Sequence, residues 1–140
     1  FRKDLTEVMV NHNLPYVAQS APIGNMKDLY EKSEKAIYTQ GPTFLNVLAP
    51  CPRGWRYDTP ELMTITKLAV ETCIWPMYEV ENGKYKVTYR PKNKKPVEEF
   101  LKPQGRFKHV FKKENSHLIE DIQKEVDRRW ARLLELDEKD

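Results

Sequence analysis

Two short apolar runs, each flanked by stretches with helical spacing, govern what this chain can fold into. "LPYVA" (Leu14–Ala18) and "TFLNVLA" (Thr43–Ala49) read as strands. The second is apolar enough to be covered on both sides. Before the first strand, Leu5, Val8, Met9 and His12 repeat at helical spacing, and Asn13 stops them. Between the strands Asn25 is placed to cap a helix with Met26, Leu29, Ser33, Ala36 and Ile37 on one face. Gly41 and Pro42 end that connection. After the second strand Thr59 caps a third helix, with Pro60 at its first position. Leu62, Ile65, Ala69 and Cys73 follow at helical spacing, and Pro76 ends it. Strands alternating with helices over residues 3–75 predict an α/β fold, parallel strands flanked by helices. Ligands of such sheets bind at the carboxyl ends of the strands. Two loops are expected there, "QSAPIG" (Gln19–Gly24) and "APCPRGW" (Ala49–Trp55).

The pattern changes after Pro76, which divides the chain into residues 1–76 and 77–140. "YEVENGKYKV" reads as a β-hairpin around Asn82–Gly83. That turn sets Glu81 opposite Lys84 and Glu79 opposite Lys86, with Val80 facing Tyr85 and Tyr78 facing Val87. Residues 90–113 form an extended basic arm with one helical turn at "PVEEFL". Phe100, Phe107 and Phe111 are its anchors, and an arm of this length lies against something. Two jobs compete for it: clasping a sister subunit, or docking an acidic protein through Lys92, Lys94 and Lys95. A last helix starts near Ser116, with Leu118, Ile122, Val126, Arg129, Leu133 and Leu136 as its stripe and Trp130 beside it.

Composition narrows the function. The 140 residues suffice for one domain with a core, and no apolar run approaches the roughly 20 residues of a membrane span. The chain begins with Phe1, so it is expected to be part of something longer. Arg2, Lys3 and Asp4 lead into alternation and not into the apolar block of a signal peptide. Net charge is +3, but residues 84–113 hold eleven Lys and Arg against two acids. That surplus of +9 leaves −6 elsewhere, and it points to an acidic partner or to a solvated arm. His12, His109 and His117 each stand alone, without the companions of a hydrolase triad. The five glycines form no phosphate-binding array, and there is no C-x-x-C for zinc. Two cysteines make no disulfide framework, which favours a reducing, cytoplasmic setting.

Of the two cysteines, Cys51 is held between Pro50 and Pro52. Each proline fixes its own φ and restricts the residue before it. This rigidity suits a sulfur that must sit at one point in space, and it equally suits an ordinary tight loop. Cys73, on the apolar face of its helix, reads as a packing residue. Lysines interleaved with Tyr85, Tyr89 and the phenylalanines also resemble a single-strand nucleic-acid surface, although no binding module frames them. A basic interaction module with a small α/β core, binding nucleic acid or an acidic protein, therefore stands as the alternative.

Three blocks favour an enzyme. "GPTFLNVLAPCPRGW", "AVETCIWPMYEVENGKYKVTYRP" and "KKPVEEFLKPQGRFKH" together resemble the second half of the β subunit of pyruvate:ferredoxin oxidoreductase, in the 2-oxoacid:acceptor oxidoreductase family. The resemblance implies the C-terminal portion of a thiamine-diphosphate-binding α/β domain over residues 1–76. The hairpin, basic arm and C-terminal helix would pack on it or on a neighbouring subunit. It also implies thiamine diphosphate, Mg²⁺ and [4Fe–4S] clusters, with α-, γ- and δ-type subunits, a 2-oxoacid, coenzyme A and ferredoxin as partners. By the same resemblance Cys51 matches one thiolate ligand of the cluster nearest thiamine, so Cys51 is the expected metal and cofactor residue, while the catalytic residues are unassigned. The family's paired cysteines and its Mg²⁺-binding G-D-G-D stretch are not in this sequence, so this stretch alone is expected to be inactive.

Overall fold

The computed structural model describes residues 3–24 and 26–138. The chain forms helix α1 (Leu5–Val10), strand β1 (Tyr16–Ser20), helix α2 (Lys27–Tyr38) and strand β2 (Thr43–Val47). Then come helices α3 (Pro52–Trp55) and α4 (Leu62–Glu71), strands β3 (Tyr78–Glu81) and β4 (Lys84–Val87), and helices α5 (Val97–Leu101) and α6 (Ser116–Glu138). It divides into two compact units, each discontinuous in sequence. The first holds residues 1–48, 76–90 and 133–140, and the second holds 49–75 and 91–132.

The first unit is a four-stranded mixed sheet in the order β2-β1-β3-β4. β1 and β2 pair in parallel, as the strand–helix alternation predicts. β3 lies antiparallel against the other edge of β1, so the hairpin extends the sheet. The hairpin register is as read: Glu81 faces Lys84, Glu79 faces Lys86, Val80 faces Tyr85 and Tyr78 faces Val87. Asn82 and Gly83 both take positive φ, 50° and 82°, as the tight turn requires. α1 ends at Val10 with Asn11 as its cap, and Asn13, at φ 55°, follows in the left-handed conformation that asparagine tolerates.

Three expectations need correction. β2 is an edge strand with half-buried side chains, not one covered on both sides. The apolar faces assigned to the first two helices are not the innermost ones: Met9, Leu29, Ser33 and Ala36 are only half-buried. Leu5 is 51% exposed and Ile37 76%, whereas Thr6 of α1 and Lys32 of α2 are buried. The reason is polar. The Thr6 hydroxyl donates to Gln19 Oε1 (2.7 Å) and Lys32 Nζ donates to the Gln19 carbonyl (2.8 Å), so each helix turns a hydrogen-bonding residue to β1. The third correction concerns Thr59, which lies inside a 3₁₀ turn (Thr59–Glu61) preceded by Asp58, rather than capping α4. The cap assigned to Asn25 falls outside the described residues.

Two charged networks stabilise the first unit. Lys32, 1% exposed, lies 2.9 Å from Asp28 and donates to Thr88 Oγ1 (2.8 Å), while the Ser20 hydroxyl donates to Asp28 Oδ2 (2.6 Å). Burial pushes the Lys32 ammonium below its ordinary pKa, against the pull of Asp28. Buried Glu79 accepts from the Tyr16 hydroxyl (2.8 Å) and from Lys35 Nζ (2.6 Å), and its hairpin partner Lys86 stands off at 3.8 Å. Burial pushes the Glu79 carboxyl up. The bonds from Lys35 and Tyr16 outweigh that, and its pKa falls below its ordinary value.

In the second unit the arm folds onto its own chain. The Lys95 N–H donates to the Glu71 carbonyl (3.0 Å) and the Val97 N–H to Gln123 Oε1 (2.7 Å), tying residues 95–97 to α4 and α6. Val97, Phe100 and Leu101 are buried, and "PVEEFL" forms its helical turn. Lys95 pairs with Glu71 (2.8 Å) and Lys94 with Asp127, so two of the three lysines weighed for docking already have acids. α6 starts at Ser116 with Val126 buried, as its stripe predicts; its residues from Leu133 belong to the first unit.

Because Glu79 is held below its unfolded value of about 4.3, its contribution is present above that pH and is lost as the pH falls through the lower folded value. Glu79→Gln is expected to cost about 1–2 kcal/mol at pH 7, modest because Lys35 reaches solvent. Urea unfolding at neutral pH and near pH 3 checks this: the gap between wild type and variant narrows in acid.

Candidate functional site

The loop that carries Cys51 is built by short-range rules. Cys51 has extended backbone (φ −103°, ψ 110°) and caps the single turn of α3, where Pro52 occupies the first position. Its Sγ accepts the Gly54 N–H at 3.3 Å. Arg56 turns left-handed (φ 57°) and reverses the chain, and the Tyr57 N–H returns to the Pro52 carbonyl at 3.2 Å. The thiol is exposed while Pro50 beside it is buried, which anchors the backbone and presents the sulfur.

A distant block braces this loop. The Gly105 N–H donates to the Arg56 carbonyl at 2.8 Å. A Cβ on Gly105 would meet Arg56 Cβ at 2.8 Å and its carbonyl oxygen at 2.9 Å, so only glycine allows the approach. Buried Gln104 accepts from Arg106 Nε (2.8 Å), and the guanidinium lies 3.8 Å over the Trp55 ring and 4.5 Å from that of Phe107. Phe100 meets Trp55 edge-on at 6.1 Å. "APCPRGW" (49–55) and "KPQGRFKH" (102–109), more than a third of the chain apart, thus form one structure around Trp55. Of the sequence anchors, Phe100 is buried, and Phe107 and Phe111 are half-buried.

Tyr57 closes the loop. Its ring meets Trp55 at 6.4 Å and the residue is 9% exposed, but its hydroxyl has no hydrogen-bond partner among the described residues. Burial raises its pKa; its electrostatic interaction with Cys51 adds to the rise and the Arg106 cation opposes it. Cys73 is different. It is buried just past α4 in a left-handed turn (φ 59°), and burial pushes its thiol up to about 11. It remains a protonated packing residue at neutral pH, as read, but it lies beyond the end of α4 at Glu71 and not on the helix face assigned to it.

The described residues do not gather three or more His, Cys, Asp or Glu where they would hold a metal ion. His12, His109 and His117 are each exposed. "QSAPIG" falls in the first unit and Cys51 in the second. Sequence reasoning passed over Tyr57, Gln104, Gly105 and Arg106 as individual residues. Their one signal was that a tryptophan beside the thiol and the Gln-Gly-Arg before the anchor Phe107 were left without a packing role.

The sequence is similar to several oxidoreductase subunits. It is 45% identical over 138 residues to pyruvate synthase subunit PorB of Thermotoga maritima, covering 98% of this chain and 42% of that protein. It is 46% identical over 123 residues to PorB of Methanosarcina barkeri, covering 88% of this chain and 40% of that protein. Ketoisovalerate oxidoreductase subunit VorB of Pyrococcus furiosus is 43% identical over 139 residues, covering 98% and 43%. No family model matches the chain. Along nearly its whole length the chain is similar to PorB and VorB sequences. The chain spans about two-fifths of the length of these relatives.

Gly105→Ala tests the brace. The forced contact with the Arg56 backbone is expected to cost about 1–3 kcal/mol, with loss of protection of the Gly54 and Trp55 amides in hydrogen exchange. Full protection and unchanged stability would show that the loop does not need this approach.

Proposed function

We propose that this chain is part of the thiamine-diphosphate and [4Fe–4S] subunit of a 2-oxoacid:ferredoxin oxidoreductase, and that Cys51 supplies one cluster ligand. The observation that carries the reading is the sulfur itself. It is exposed, fixed between two prolines and already the acceptor of a backbone N–H. A thiolate ligand remote from its fellow ligands needs such rigidity from its own loop. One cysteine cannot hold a [4Fe–4S] cluster, so the other ligands come from outside this sequence. When bound, thiamine diphosphate with Mg²⁺ supplies the carbanion chemistry of decarboxylation and the clusters carry the electrons. The part of this chain is to fix one corner of a cluster.

The 2-oxoacid proposed is pyruvate, from the blocks and from the PorB relatives; the VorB relative at 43% makes a branched-chain 2-oxoacid the rival substrate. Coenzyme A, ferredoxin and α-, γ- and δ-type sister subunits complete the proposal. Residues 1–76 are assigned to the cofactor-binding α/β domain, and residues 77–140 to a hairpin, arm and helix that pack on it or on a neighbouring subunit. Exposed apolar side chains support assembly into something larger, notably Tyr30, Ile37 and Tyr38 on the outer side of α2. Two unpaired thiols fit a cytoplasmic setting. No helix among the described residues is long and apolar enough to cross a membrane.

In the full-length subunit, Cys51→Ala is expected to deplete the thiamine-proximal cluster and Cys73→Ala to leave it intact, read by iron analysis and low-temperature EPR. A full complement in Cys51→Ala sinks the ligand assignment. The 140-residue chain made alone is expected to bind neither thiamine diphosphate nor a stable cluster. Calorimetric titration with Mg²⁺ and thiamine diphosphate checks it, and affinity tighter than about 10 μM, some −7 kcal/mol, would refute it.

A further inference from the structure

The two edges of the sheet in the first unit are finished differently. At the β4 edge Lys84 and Lys86 are exposed, and Asp137 Oδ1 accepts the Val87 N–H at 2.9 Å. Exposed lysines and capped amides close a sheet edge to further strands. The β2 edge has no such device: Thr43–Val47 (TFLNV) carries no charge and no proline. Phe44 and Leu45 are only half-buried, although Val17 and Ala18 opposite them in β1 are buried. The Leu48 N–H donates to the Ser20 carbonyl at 3.0 Å, toward β1. Successive residues of a strand turn their N–H groups to opposite sides, so those of Leu45 and Val47 point to the other side, where β2 has no neighbour. β2 thus has the composition of a strand inside a sheet and the place of one at its edge.

The helices show which strand is missing. Neighbouring side chains of a strand point to opposite faces. The Gln19 side chain bonds Thr6 of α1 and the Ser20 side chain bonds Asp28 of α2, so the two helices cover opposite faces of the sheet. β2 is held from both: Asn46 Nδ2 donates to Thr6 Oγ1 (3.0 Å) and the Thr43 hydroxyl to the Ala36 carbonyl of α2 (3.0 Å). Crossovers between parallel strands are right-handed, so two that use opposite faces run in opposite directions along the sheet. The chain passes from β1 to β2 through α2. A parallel strand that fed α1 therefore lies on the β2 side of β1, and since β2 holds the place next to β1, the free place is beyond β2. We infer that the open edge of β2 takes a further strand, parallel to it, from the part of the same subunit outside this sequence, and that this is the strand that leads into α1. The inference rests on the reading of this chain as part of a longer oxidoreductase subunit and goes beyond it by naming the surface and its occupant. The relatives, of which this chain spans about two-fifths, are long enough to supply that strand. Its backbone accepts from Leu45 and Val47, and its side chains complete the cover of Phe44 and Leu45.

The test is hydrogen exchange on the assembled oxidoreductase, read residue by residue along Thr43–Val47 by mass spectrometry. The amides of Leu45 and Val47 are expected to exchange as slowly as those of Phe44 and Asn46, with loss of the fast exchange that an open edge gives. Exchange of Leu45 and Val47 within seconds, beside slow Phe44 and Asn46, overturns the inference. The occupant is identified by photo-cross-linking from p-benzoylphenylalanine at position 47 in the full-length subunit. The cross-linked peptide is expected from the same subunit, in the segment that precedes α1. Cross-links to a sister subunit or to a second copy in place of that segment overturn it. If the position 47 variant fails to assemble, exchange in the unmodified enzyme decides alone. Failure of the underlying functional reading has a separate mark, a full cluster complement in Cys51→Ala.

Discussion

Burying the Lys32 ammonium is the most demanding thing the first unit does, and much of its architecture follows from meeting that demand. An uncompensated charge in a protein interior costs several kcal/mol, so it must be surrounded by partners. Lys32 finds three within hydrogen-bonding distance: Asp28 one helical turn earlier, the Gln19 carbonyl near the end of β1, and Thr88 just past β4. Asp28 in turn accepts from Ser20. These contacts fix the rotation of α2 about its axis and join it to the end of β1 and to the segment after the hairpin. They also explain why Ile37 and Tyr38 of α2 point outward while Leu29 and Ala36 are only half-buried: the face that carries Lys32 is the one that must be inside.

The second unit is organised around Trp55 instead. A backbone bond from Gly105 to Arg56, a guanidinium laid on the indole and the edge of Phe100 hold the loop after Cys51 from one side. Pro50 and Pro52 stiffen it from within. Rigidity of this kind is expected of a ligand loop, because a metal site pays twice for a mobile ligand, in entropy and in geometry. The same packing leaves the Tyr57 hydroxyl buried without a hydrogen-bond partner among the described residues.

Legibility in the sequence followed the range of the interactions. The Asn82–Gly83 hairpin was readable to the residue, because turn chemistry and cross-strand charge agree on one register. The parallel pairing of β1 and β2 and the helical turn of α5 were also readable. The faces of α1 and α2 were not. An apolar helical stripe is ordinarily the side a helix buries, and here Thr6 and Lys32 are instead bound by Gln19 of β1, 13 residues away from each. The arm was legible as basic and aromatic, but its acids, Glu71 and Asp127, lie on helices that the pattern did not connect to it.

The sequence by itself determined the strand–helix alternation, the hairpin, the rigidity of Cys51 and the likeness to 2-oxoacid oxidoreductase subunits, since each depends on neighbours in the chain or on whole blocks of it. Only the tertiary structure decided that β3 joins β1, that a lysine and not an isoleucine of α2 is buried, and that Gly105 and Arg106 brace the thiol loop. These depend on pairings between segments tens of residues apart. Such pairings are chosen by what a buried charge, an unpaired strand edge or an exposed indole meets once the chain has closed on itself, and no local pattern encodes that.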